Sequence, residues 1–485
     1  MSEITEFKNY IDGAWVKSQT HKTFENTNPA DNRDTLGLFQ ASSAEDACVA
    51  VASAASAFDA WKETPISKRA KILQAAADYL ETNVSKFAEE LTREEGKPLN
   101  LSKDEILRAA QTFRFYAVEG QSFSGETYPN DDPDMLVYSQ REPLGVVCVI
   151  SPWNFPISIP ARKIAPALIT GNTVVFKPSS DAPLIGYRLT EALAHAGIPH
   201  GVFNFITGRA TDIGPTITES SAIRAISFTG STAAGEHIHR SVPFTTRTQM
   251  ELGGKNPLIV MEDADLDKAV DLTIKGGLSL SGQACTGTSR VLVMAQVKKE
   301  FTVKLVDKVR ALKVGSGMVA GMDIGPLATA KQLQTVLDYI EIGMGEATHL
   351  YGGDRLSAPE YANGYYVTPA IFTDVTQSMR IAREEIFGPV IAIIEVTSYE
   401  DAIAKANDTE YGLTAAIVTL KPKLMHKFAK DIQAGTVKIN RTTTGNLVNA
   451  PFGGLKRSST STFRESGRTG LEFYTQIKTI YLGSH

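Results

Sequence analysis

The residue with the clearest chemical potential in this sequence is Cys285, which lies in a Gly-Gln-Ala-Cys-Thr stretch at residues 282–286. Small and polar neighbours give a thiol little apolar cover, and an accessible thiol with a lowered pKa is a nucleophile. Glu251 precedes a Gly-Gly pair that lets another segment approach closely, so its carboxylate is a candidate base for the same site. Taken alone, two such residues are more often a packed side chain and a solvated charge. The segments before them favour the chemical interpretation.

Apolar stretches upstream of Glu251 alternate with helical ones, which predicts a parallel sheet covered on both faces and an α/β fold class. The predicted strands are residues 146–150, 173–176, 202–206 and 225–228. Ligands bind at the carboxyl ends of such strands. Polar or small residues follow each predicted strand, namely Ser151 and Asn154, Lys177, Ser179 and Ser180, Gly208, and Gly230 with Ser231.

The last of these strand ends begins a helix at Ser231, whose free backbone N–H groups could bind a pyrophosphate. Polar strand ends at one edge of a sheet, one of them with a lysine, predict a dinucleotide site. The Gly-x-Gly-x-x-Gly motif of the Rossmann dinucleotide site is absent from this turn. We therefore expect cofactor binding to differ from that of proteins with this motif.

The chain has 485 residues, which is too many for one hydrophobic core and predicts two or three domains. We expect a Rossmann-like nucleotide-binding domain in residues 1–122 and 142–253 and an α/β catalytic domain in residues 254–446. Extended segments at 123–141 and 465–485 are predicted to be oligomerisation strands, with the hairpin pairing with another subunit. A hairpin packed on its own surface is the alternative.

Composition excludes several function classes. A formal net charge of −5 argues against the basic surface that nucleic-acid binding needs. Three cysteines, Cys48, Cys148 and Cys285, form no disulfide framework and no zinc-ligand spacing, so we expect no metal and a reducing, cytoplasmic location. No signal peptide is visible, and no apolar run approaches the roughly 18 residues that span a bilayer, so no membrane partner is expected.

Motifs along the whole chain carry a resemblance to a known family. They are Pro-Trp-Asn-Phe-Pro at 152–156, Phe-Thr-Gly-Ser at 228–231, Glu-Leu-Gly-Gly-Lys at 251–255, Gly-Gln-Ala-Cys at 282–285 and Glu-Glu-Ile-Phe-Gly-Pro at 384–389. In this order they resemble the aldehyde dehydrogenase superfamily, whose fold has a nucleotide-binding domain, a catalytic domain and a small β oligomerisation element. Residues 285–290 and 437–445 are most similar to bacterial α-ketoglutaric semialdehyde (2,5-dioxopentanoate) dehydrogenases, with succinate semialdehyde dehydrogenases as the neighbouring interpretation.

The resemblance implies NAD(P)-dependent, non-acylating oxidation of an aldehyde. Cys285 would attack the aldehyde carbon, while the Asn154 amide and the Cys285 backbone N–H would hold the oxyanion. Hydride transfer to the nicotinamide would give a thioester, and Glu251 would activate the water that hydrolyses it. The resemblance also implies a homo-oligomer, either a dimer or a homotetramer.

For the cofactor, the resemblance implies a site formed by the strand ends and by residues 384–389. Lys177 would lie near the adenosine ribose, and Ser180 stands where NAD-preferring relatives often have a glutamate that repels a 2′-phosphate. NADP is therefore the expected cofactor, with NAD as the alternative. The implied contact residues are Ile150, Ser151, Pro152, Trp153, Lys177, Ser179, Ser180, Gly208, Phe228, Gly230, Ser231, Leu252, Glu385 and Phe387.

For the substrate, the resemblance implies a small aldehyde with a distal carboxylate. Arg162 stands where succinate semialdehyde dehydrogenases use an arginine to bind that carboxylate; an arginine that caps a helix and reaches solvent is the alternative. One branch of the succinate semialdehyde dehydrogenases has a second arginine for the carboxylate, and this sequence has Ser279 at that position. Arg441 is the candidate to supply the second positive charge instead. Redox-switched relatives have a second cysteine at the position of Gly287. With glycine there, a disulfide with Cys285 cannot form.

Three functions remain to be distinguished. The leading hypothesis is oxidation of 2,5-dioxopentanoate to 2-oxoglutarate, with succinate semialdehyde or broad-specificity aldehyde oxidation as the nearer alternative. A thiol hydrolase or esterase explains Cys285 but not the polar strand ends, and it would act without a nicotinamide cofactor. A non-catalytic protein on this fold would not need Cys285, Glu251 and Asn154 together.

Overall fold

The structure, a computed structural model, describes residues 4–483. Two seven-stranded sheets form its centre, and three smaller sheets accompany them. The strands are β1 Glu6–Phe7, β2 Asn9–Ile11, β3 Ala14–Val16, β4 Thr23–Asn28, β5 Asp31–Gln40, β6 Thr127–Tyr128, β7 Met135–Pro143, β8 Val146–Ile150, β9 Thr173–Lys177, β10 Phe203–Phe205, β11 Ile223–Thr229, β12 Arg247–Glu251, β13 Asn256–Val260, β14 Thr288–Met294, β15 Thr348–Tyr351, β16 Ala370–Thr373, β17 Val390–Val396, β18 Tyr411–Gly412, β19 Thr414–Val418, β20 Thr436–Ile439, β21 Leu455–Lys456 and β22 Thr475–Gly483.

Fifteen α-helices connect and cover these strands within the described chain, with short 3₁₀ helices at Gly120–Ser122 and Ser279–Gly282. The α-helices are α1 Ala44–Lys62, α2 Ile66–Thr82, α3 Val84–Glu95, α4 Leu99–Glu119, α5 Ser158–Ile169, α6 Pro183–His195, α7 Ala210–Thr218, α8 Thr232–Ser241, α9 Leu266–Gly277, α10 Ala295–Arg310, α11 Ala330–Glu346, α12 Arg380–Arg383, α13 Tyr399–Asn407, α14 Pro422–Asp431 and α15 Thr469–Glu472. Across residues 4–483, no helix has both the length and the apolar character needed to cross a membrane.

The first large sheet has the strand order β12-β11-β8-β9-β10-β2-β3. Strands β12 to β10 are parallel, and β2 and β3 extend the sheet in antiparallel fashion. The apolar run of β8 is covered on both faces, because Val147 packs in the core that includes α5 and Cys148 packs in the core that includes α1. Parallel strands covered by helices on two faces confirm the predicted α/β class.

The second large sheet has the strand order β15-β16-β17-β14-β13-β19-β20. All of its strands are parallel except the edge strand β15, which pairs antiparallel with β16. Glu251 ends the last strand of the first sheet and Asn256 begins the first strand of the second. Residues 252–255 therefore connect the two sheets, and the predicted base lies at this crossing. The predicted division into domains stays a prediction.

The hairpin of β6 and β7 belongs to a small antiparallel sheet with the order β22-β7-β6. The structure pairs β7 with the C-terminal strand of the same chain, from Thr475 opposite Pro143 to Gly483 opposite Met135. The predicted pairing of this hairpin with another subunit stays a prediction. The outer edge of β22 has no partner strand within residues 4–483. That edge strand exposes the side chains of Ile477, Tyr481 and Leu482.

Element boundaries depart from the prediction in two informative places. The single helix expected over residues 66–91 is two helices, because Asn83 leaves the helical conformation and its side chain donates to the Tyr79 carbonyl at 2.9 Å. Strand β12 was not predicted, since its Arg-Thr-Gln-Met-Glu sequence is not an apolar run. Its polar side chains are buried with partners instead, as where Ser227 Oγ donates to Gln249 Oε1 at 2.8 Å.

Candidate active site

Glycine residues bring the Cys285 loop into close contact with neighbouring segments. A Cβ atom on Gly282, whose φ is 72°, would lie 2.1 Å from the Gly388 carbonyl oxygen. A Cβ atom on Gly254 would lie 2.6 Å from the Cys285 carbonyl oxygen, so glycine is required at both positions. The Asn256 side-chain amide also donates to the Cys285 carbonyl at 2.8 Å. The backbone that carries the thiol is therefore fixed.

Cys285 lies at the junction of two cavities, of about 250 and 260 Å³. Thr229, Leu252 and Cys285 line both, so a molecule in either cavity can reach the thiol. We name the first the arginine cavity, because Arg108 and Arg162 lie in its wall. The second is the strand-end cavity, because residues that follow the parallel strands form much of its wall, namely Pro152, Trp153, Asn154, Gly230 and Ser231.

Burial and nearby carboxylates keep the Cys285 thiol protonated at neutral pH. Burial raises the pKa of Cys285 to about 12, and the carboxylates of Glu385 and Glu251 act in the same direction. Arg162 opposes them, because a nearby cation favours the thiolate. A base or a further positive charge near the sulfur is therefore needed before the thiolate forms.

Glu251 presents a carboxyl group without fixed partners to the arginine cavity. Its side chain is buried, and neither carboxyl oxygen has a hydrogen-bond partner within residues 4–483. Burial and the neighbouring Glu465 carboxylate raise the pKa of Glu251 well above its ordinary value. Gly453 makes room for it, since a Cβ atom there would lie 2.8 Å from Glu251 Oε1. Such a group can act as a general base for a water molecule in the cavity.

A buried ion pair lies beside Glu251. Lys163, on α5, donates to the Glu465 carboxylate and, at 3.0 Å, to Ser227 Oγ. The side chains of Lys163 and Glu465 are 0% and 3% exposed, so their charges act across a medium with little water. Glu465 raises the pKa of Glu251 and Lys163 lowers it. The pair therefore tunes the proton affinity of the candidate base.

Asn154 is held through both its side chain and its backbone. Its Nδ2 donates to the Gln283 carbonyl at 2.8 Å, which leaves the second N–H of the amide available. Its carbonyl accepts from Lys97 Nζ at 2.7 Å, and Lys97 is paired with Glu105 at 2.6 Å. Asn154 and Cys285 line the strand-end cavity together. A fixed amide in the same cavity as a nucleophile can stabilise an oxyanion that forms there.

The wall of the strand-end cavity fits a nicotinamide nucleotide. Ser231 caps helix α8, with its Oγ accepting a first-turn backbone N–H at 3.4 Å, so the positive end of this helix lies at the strand ends. Trp153 and Phe387 meet edge to face, with 5.4 Å between ring centroids. The Glu385 carboxylate accepts from the Gly254 N–H at 2.9 Å, and burial raises the pKa of Glu385 to about 7. These groups suit a phosphate, an aromatic ring and a ribose hydroxyl.

The remaining predicted cofactor residues lie along the same strands and the segments that follow them. Lys177 is buried at the end of β9; it donates to the Pro178 carbonyl at 3.1 Å, and burial lowers the pKa of Lys177 to about 8. Ser180 Oγ donates to the Gly208 carbonyl at 2.9 Å, and the Ser151 hydroxyl is buried without a partner in the described chain. A buried cation and an unpartnered hydroxyl fit an anionic, hydroxyl-rich ligand. The others of this set are Ile150 in β8, Phe228 in β11, Ser179 after β9 and Leu252 after β12.

Of the two arginines predicted to bind substrate, the structure brings one to the thiol. Arg162, on α5, lies in the wall of the arginine cavity, with its guanidinium carbon 5.6 Å from the centroid of the Phe452 ring. Arg441 is exposed and does not line that cavity. The sequence reasoning missed Arg108, which lies on α4 and does line it. The alanine neighbours of Arg108 predict only a helix, so its location follows from the packing of α4 against α5 and from no local signal.

Comparison with known proteins agrees with this geometry. The sequence model of the aldehyde dehydrogenase family matches residues 15–480. The α-ketoglutaric semialdehyde dehydrogenase of Bacillus subtilis is 42% identical over 487 residues, which cover 99% of this chain and 100% of that protein. The betaine aldehyde dehydrogenase of Staphylococcus aureus, solved in complex with NAD+, is 33% identical, with a TM-score of 0.95 over 98% of this chain and 94% of that one. An NADP-dependent enzyme of E. coli is 33% identical, with a TM-score of 0.95 over 99% of this chain and 98% of that one.

Proposed function

The chain belongs to the aldehyde dehydrogenase family, and from this membership we propose that it oxidises 2,5-dioxopentanoate to 2-oxoglutarate. The oxidation of aldehydes with a nicotinamide cofactor is the reaction of this family and fold. The proposal rests on one observation: Cys285 joins a cavity with arginines, which suits a carboxylated substrate, to a cavity at the strand ends, which suits a nucleotide. The relative from Bacillus subtilis supports the same substrate.

Cys285 is the nucleophile of the proposed reaction. After the thiol proton has passed to water, the thiolate sulfur attacks the aldehyde carbon, and the former carbonyl oxygen takes the negative charge in the thiohemiacetal. The Asn154 amide and the Cys285 backbone N–H donate to that oxygen. Because Gln283 and Lys97 already hold Asn154, the amide needs little rearrangement when the charge develops.

When bound, an oxidised nicotinamide would supply the hydride acceptor and a positive charge that favours the Cys285 thiolate. Trp153 and Phe387, in the wall of the strand-end cavity, would hold its ring, and Glu385 would bind a hydroxyl of the adjoining ribose. In the described part of the chain, Glu385 accepts a single backbone N–H, so a carboxylate oxygen is available for that hydroxyl.

Glu251 acts after the hydride has left. It takes a proton from a water molecule, the resulting hydroxide adds to the thioester carbon, and collapse releases the carboxylate product and the Cys285 thiol. The raised pKa of Glu251 suits this role, because such a carboxylate holds a transferred proton better than an ordinary one does. A built-in base for water supports hydrolysis over acyl transfer to coenzyme A.

The arginine cavity selects the substrate in this proposal. Arg162 binds the distal carboxylate, while Phe155, Ile159 and Phe452 contact the methylene groups between the two ends. Succinate semialdehyde, which is one carbon shorter, is the nearer alternative substrate, and broad-specificity aldehyde oxidation is the other. A single carbon changes binding in an apolar pocket by a modest factor, so both alternatives enter the test.

NADP is the proposed preferred cofactor. Lys177 supplies a positive charge near the adenosine ribose, and Ser180 presents a hydroxyl where a carboxylate would repel the 2′-phosphate. NAD remains the alternative cofactor.

A homo-oligomer, with the tetramer as the expected form, is proposed from the small sheet. Within residues 4–483, the outer edge of the nine-residue strand β22 has no partner strand, and Ile477, Tyr481 and Leu482 are exposed on the same strand. An edge of this kind pairs readily with another chain.

Three free cysteines support a reducing compartment, and we propose the cytoplasm.

The reaction is tested by following the absorbance of the reduced nicotinamide with both cofactors. The aldehydes are 2,5-dioxopentanoate, succinate semialdehyde, glutarate semialdehyde and propanal. The highest kcat/KM is expected with 2,5-dioxopentanoate and NADP, and Cys285→Ala should abolish the reaction. Arg162→Met should raise KM for the carboxylated aldehydes, with Arg441→Met as the matched change of an exposed arginine. Preference for propanal would overturn the substrate, and cleavage of esters without any cofactor would instead support a thiol hydrolase.

A further inference from the structure

Two arginine side chains face the arginine cavity without a full complement of partners. Arg108, on α4, donates one N–H to the Asn446 carbonyl at 2.7 Å and forms no ion pair with a carboxylate of residues 4–483. Arg162, on α5, donates to the Ser158 carbonyl at 3.5 Å and lies 4.0 Å from Glu465. A guanidinium has five N–H donors, so most donors of both groups remain available.

These two cations repel one another in a partly buried setting. Burial lowers the pKa of Arg108, and the charge of Arg162 adds to that effect. Arg108 is only partly exposed, and the side chain of Arg162 is 12% exposed, so water compensates their charges incompletely. Two like charges that share a small cavity favour an anion between them.

The acidic residues of the cavity do not supply that anion. Glu105 is bound by Lys97 and by two backbone N–H groups. Neither carboxyl oxygen of Glu251 has a hydrogen-bond partner within residues 4–483, so Glu251 binds neither guanidinium. Asp104 precedes Arg108 by one helical turn, but it is exposed and forms no ion pair with Arg108. Glu465 is paired with Lys163 and lies 4.0 Å from Arg162, beyond hydrogen-bond distance. Neither arginine is therefore hydrogen-bonded to a carboxylate of the described chain, and an anion from outside the chain would complete the site.

We propose that Arg108 is a specificity-determining residue, a second binding arm that with Arg162 holds the 2-oxo carboxylate end of the substrate. This inference rests on the proposed function. A carboxylate alone can occupy one guanidinium fork, whereas the additional 2-oxo oxygen is a further acceptor for the second guanidinium. The two-arginine wall therefore favours a 2-oxo acid semialdehyde over a simple carboxylated aldehyde of the same length.

A tether is the competing role for Arg108. Its bond to the Asn446 carbonyl could serve only to hold the 444–446 segment that also lines the cavity. A tether would affect every aldehyde alike, because the segment shapes the cavity for all of them. A binding arm affects only aldehydes that carry acceptors at the far end. The two roles thus differ in substrate dependence.

The test compares Arg108→Met with the wild type on 2,5-dioxopentanoate, glutarate semialdehyde and pentanal. For a binding arm, kcat/KM should fall about 10- to 100-fold for 2,5-dioxopentanoate, chiefly through KM, and by a smaller factor for glutarate semialdehyde. The ratio of kcat/KM between 2,5-dioxopentanoate and pentanal should fall accordingly. Arg114→Met is the matched control, since Arg114 lies on the same helix but pairs with Glu81 and Asp78. Equal losses on all three aldehydes, or no loss at all, would overturn the inference.

Binding measurements separate this inference from the proposed function. Calorimetry on the Cys285→Ala protein should detect 2-oxoglutarate more tightly than glutarate, and Arg108→Met should remove that difference. If the wild type ignores carboxylated aldehydes but still binds 2-oxoglutarate through Arg108, the substrate assignment fails and the anion site stands. If the wild type prefers 2,5-dioxopentanoate and Arg108→Met has the same substrate preference, the proposed function stands and only the role of Arg108 is refuted. Arg108→Lys, which keeps the charge but not the fork, should give an intermediate loss and replaces Arg108→Met if the latter does not fold.

Discussion

Replacing Lys97 by Met should both destabilise the protein and slow hydride transfer, because one ammonium group serves the core and Asn154 together. The Lys97 side chain is 1% exposed and bonds Glu105 at 2.6 Å and the Asn154 carbonyl at 2.7 Å. Glu95 lies 3.7 Å away from the same nitrogen. Methionine keeps the length of the side chain without its charge, so the buried Glu105 carboxylate loses its cation.

The expected loss of unfolding free energy is about 3–5 kcal/mol, which is the usual cost of removing one partner of a buried ion pair. Glu105 is 3% exposed, so water cannot replace the lost cation. Glu105 retains the backbone N–H groups of Ile157 and Ser158, at 3.2 and 3.1 Å, which places the loss toward the lower end. Adding Glu105→Gln should recover part of the stability, with a coupling of about 1–3 kcal/mol between the two sites.

The effect on catalysis should pass through Asn154. Loss of the bond to its carbonyl frees the backbone that carries the oxyanion-binding amide. Removal of one such donor costs about 10²- to 10³-fold in rate, so an indirect loosening should cost about 10- to 100-fold. The hydride step should slow by this factor, and thioester hydrolysis, which depends on Glu251, should change less.

Single-turnover formation of reduced cofactor measures the hydride step, and denaturant unfolding followed by circular dichroism measures stability. The decisive comparison places Lys97→Met in the wild type and in an Asn154→Ala background. If Lys97 acts through Asn154, the second background should show no further slowing of hydride transfer. Equal slowing in both backgrounds would refute the reasoning, as would an unchanged hydride rate in Lys97→Met alone. Lys103→Met, at an exposed lysine of α4, is the control.

Three further predictions concern single side chains. Glu251→Gln should lower steady-state turnover about 10²- to 10⁴-fold, while the first-turnover burst of reduced cofactor persists. The raised pKa of Glu251 should make wild-type kcat rise with pH above the ordinary carboxylate range, and the variant should lack this rise. A lost burst would instead place Glu251 before hydride transfer. Ser180→Glu should lower kcat/KM with NADP more than with NAD, and an unchanged ratio would contradict the assignment of the 2′-phosphate site. Burial raises the pKa of Glu95 from 4.5 to about 8, so its favourable contribution to folding is complete below the lower value and is lost as the pH rises through the upper one. Glu95→Gln should therefore flatten the dependence of the unfolding midpoint on pH in that window, and a midpoint curve parallel to that of the wild type would show that Glu95 stays ionised in the fold.

The sequence predicted those features of the fold and site that depend on neighbours along the chain. Apolar runs that alternate with helices predicted the parallel strands, and polar strand ends predicted the edge at which Trp153 and Ser231 line a cavity. The Gly-Gly pair after Glu251 predicted a close approach, and Gly254 does lie against the Cys285 carbonyl. Each of these signals arises from local backbone geometry, which a linear pattern records.

Features that depend on contacts between distant elements were not predicted. Strand β12 was not predicted, because its buried side chains are polar and form hydrogen bonds with β11 instead of making an apolar run. The pairing of β22 with β7 joins segments more than 300 residues apart, and no local pattern distinguishes it from pairing with a second subunit. The exposed Arg441 could not be told from a cavity arginine by its flanking residues.

The clearest example of this limit is a pair of arginines on one helix. Arg108 and Arg114 both lie on α4, and nothing in their flanking sequence separates them. Helix α2 brings the carboxylates of Asp78 and Glu81 to Arg114, which becomes part of a surface ion-pair cluster. Helix α5 brings a second cation, Arg162, to the cavity wall beside Arg108. The chemical role of each arginine is therefore set by which helix packs against it, and an arginine that packs against another arginine over a cavity is the one to examine for anion binding.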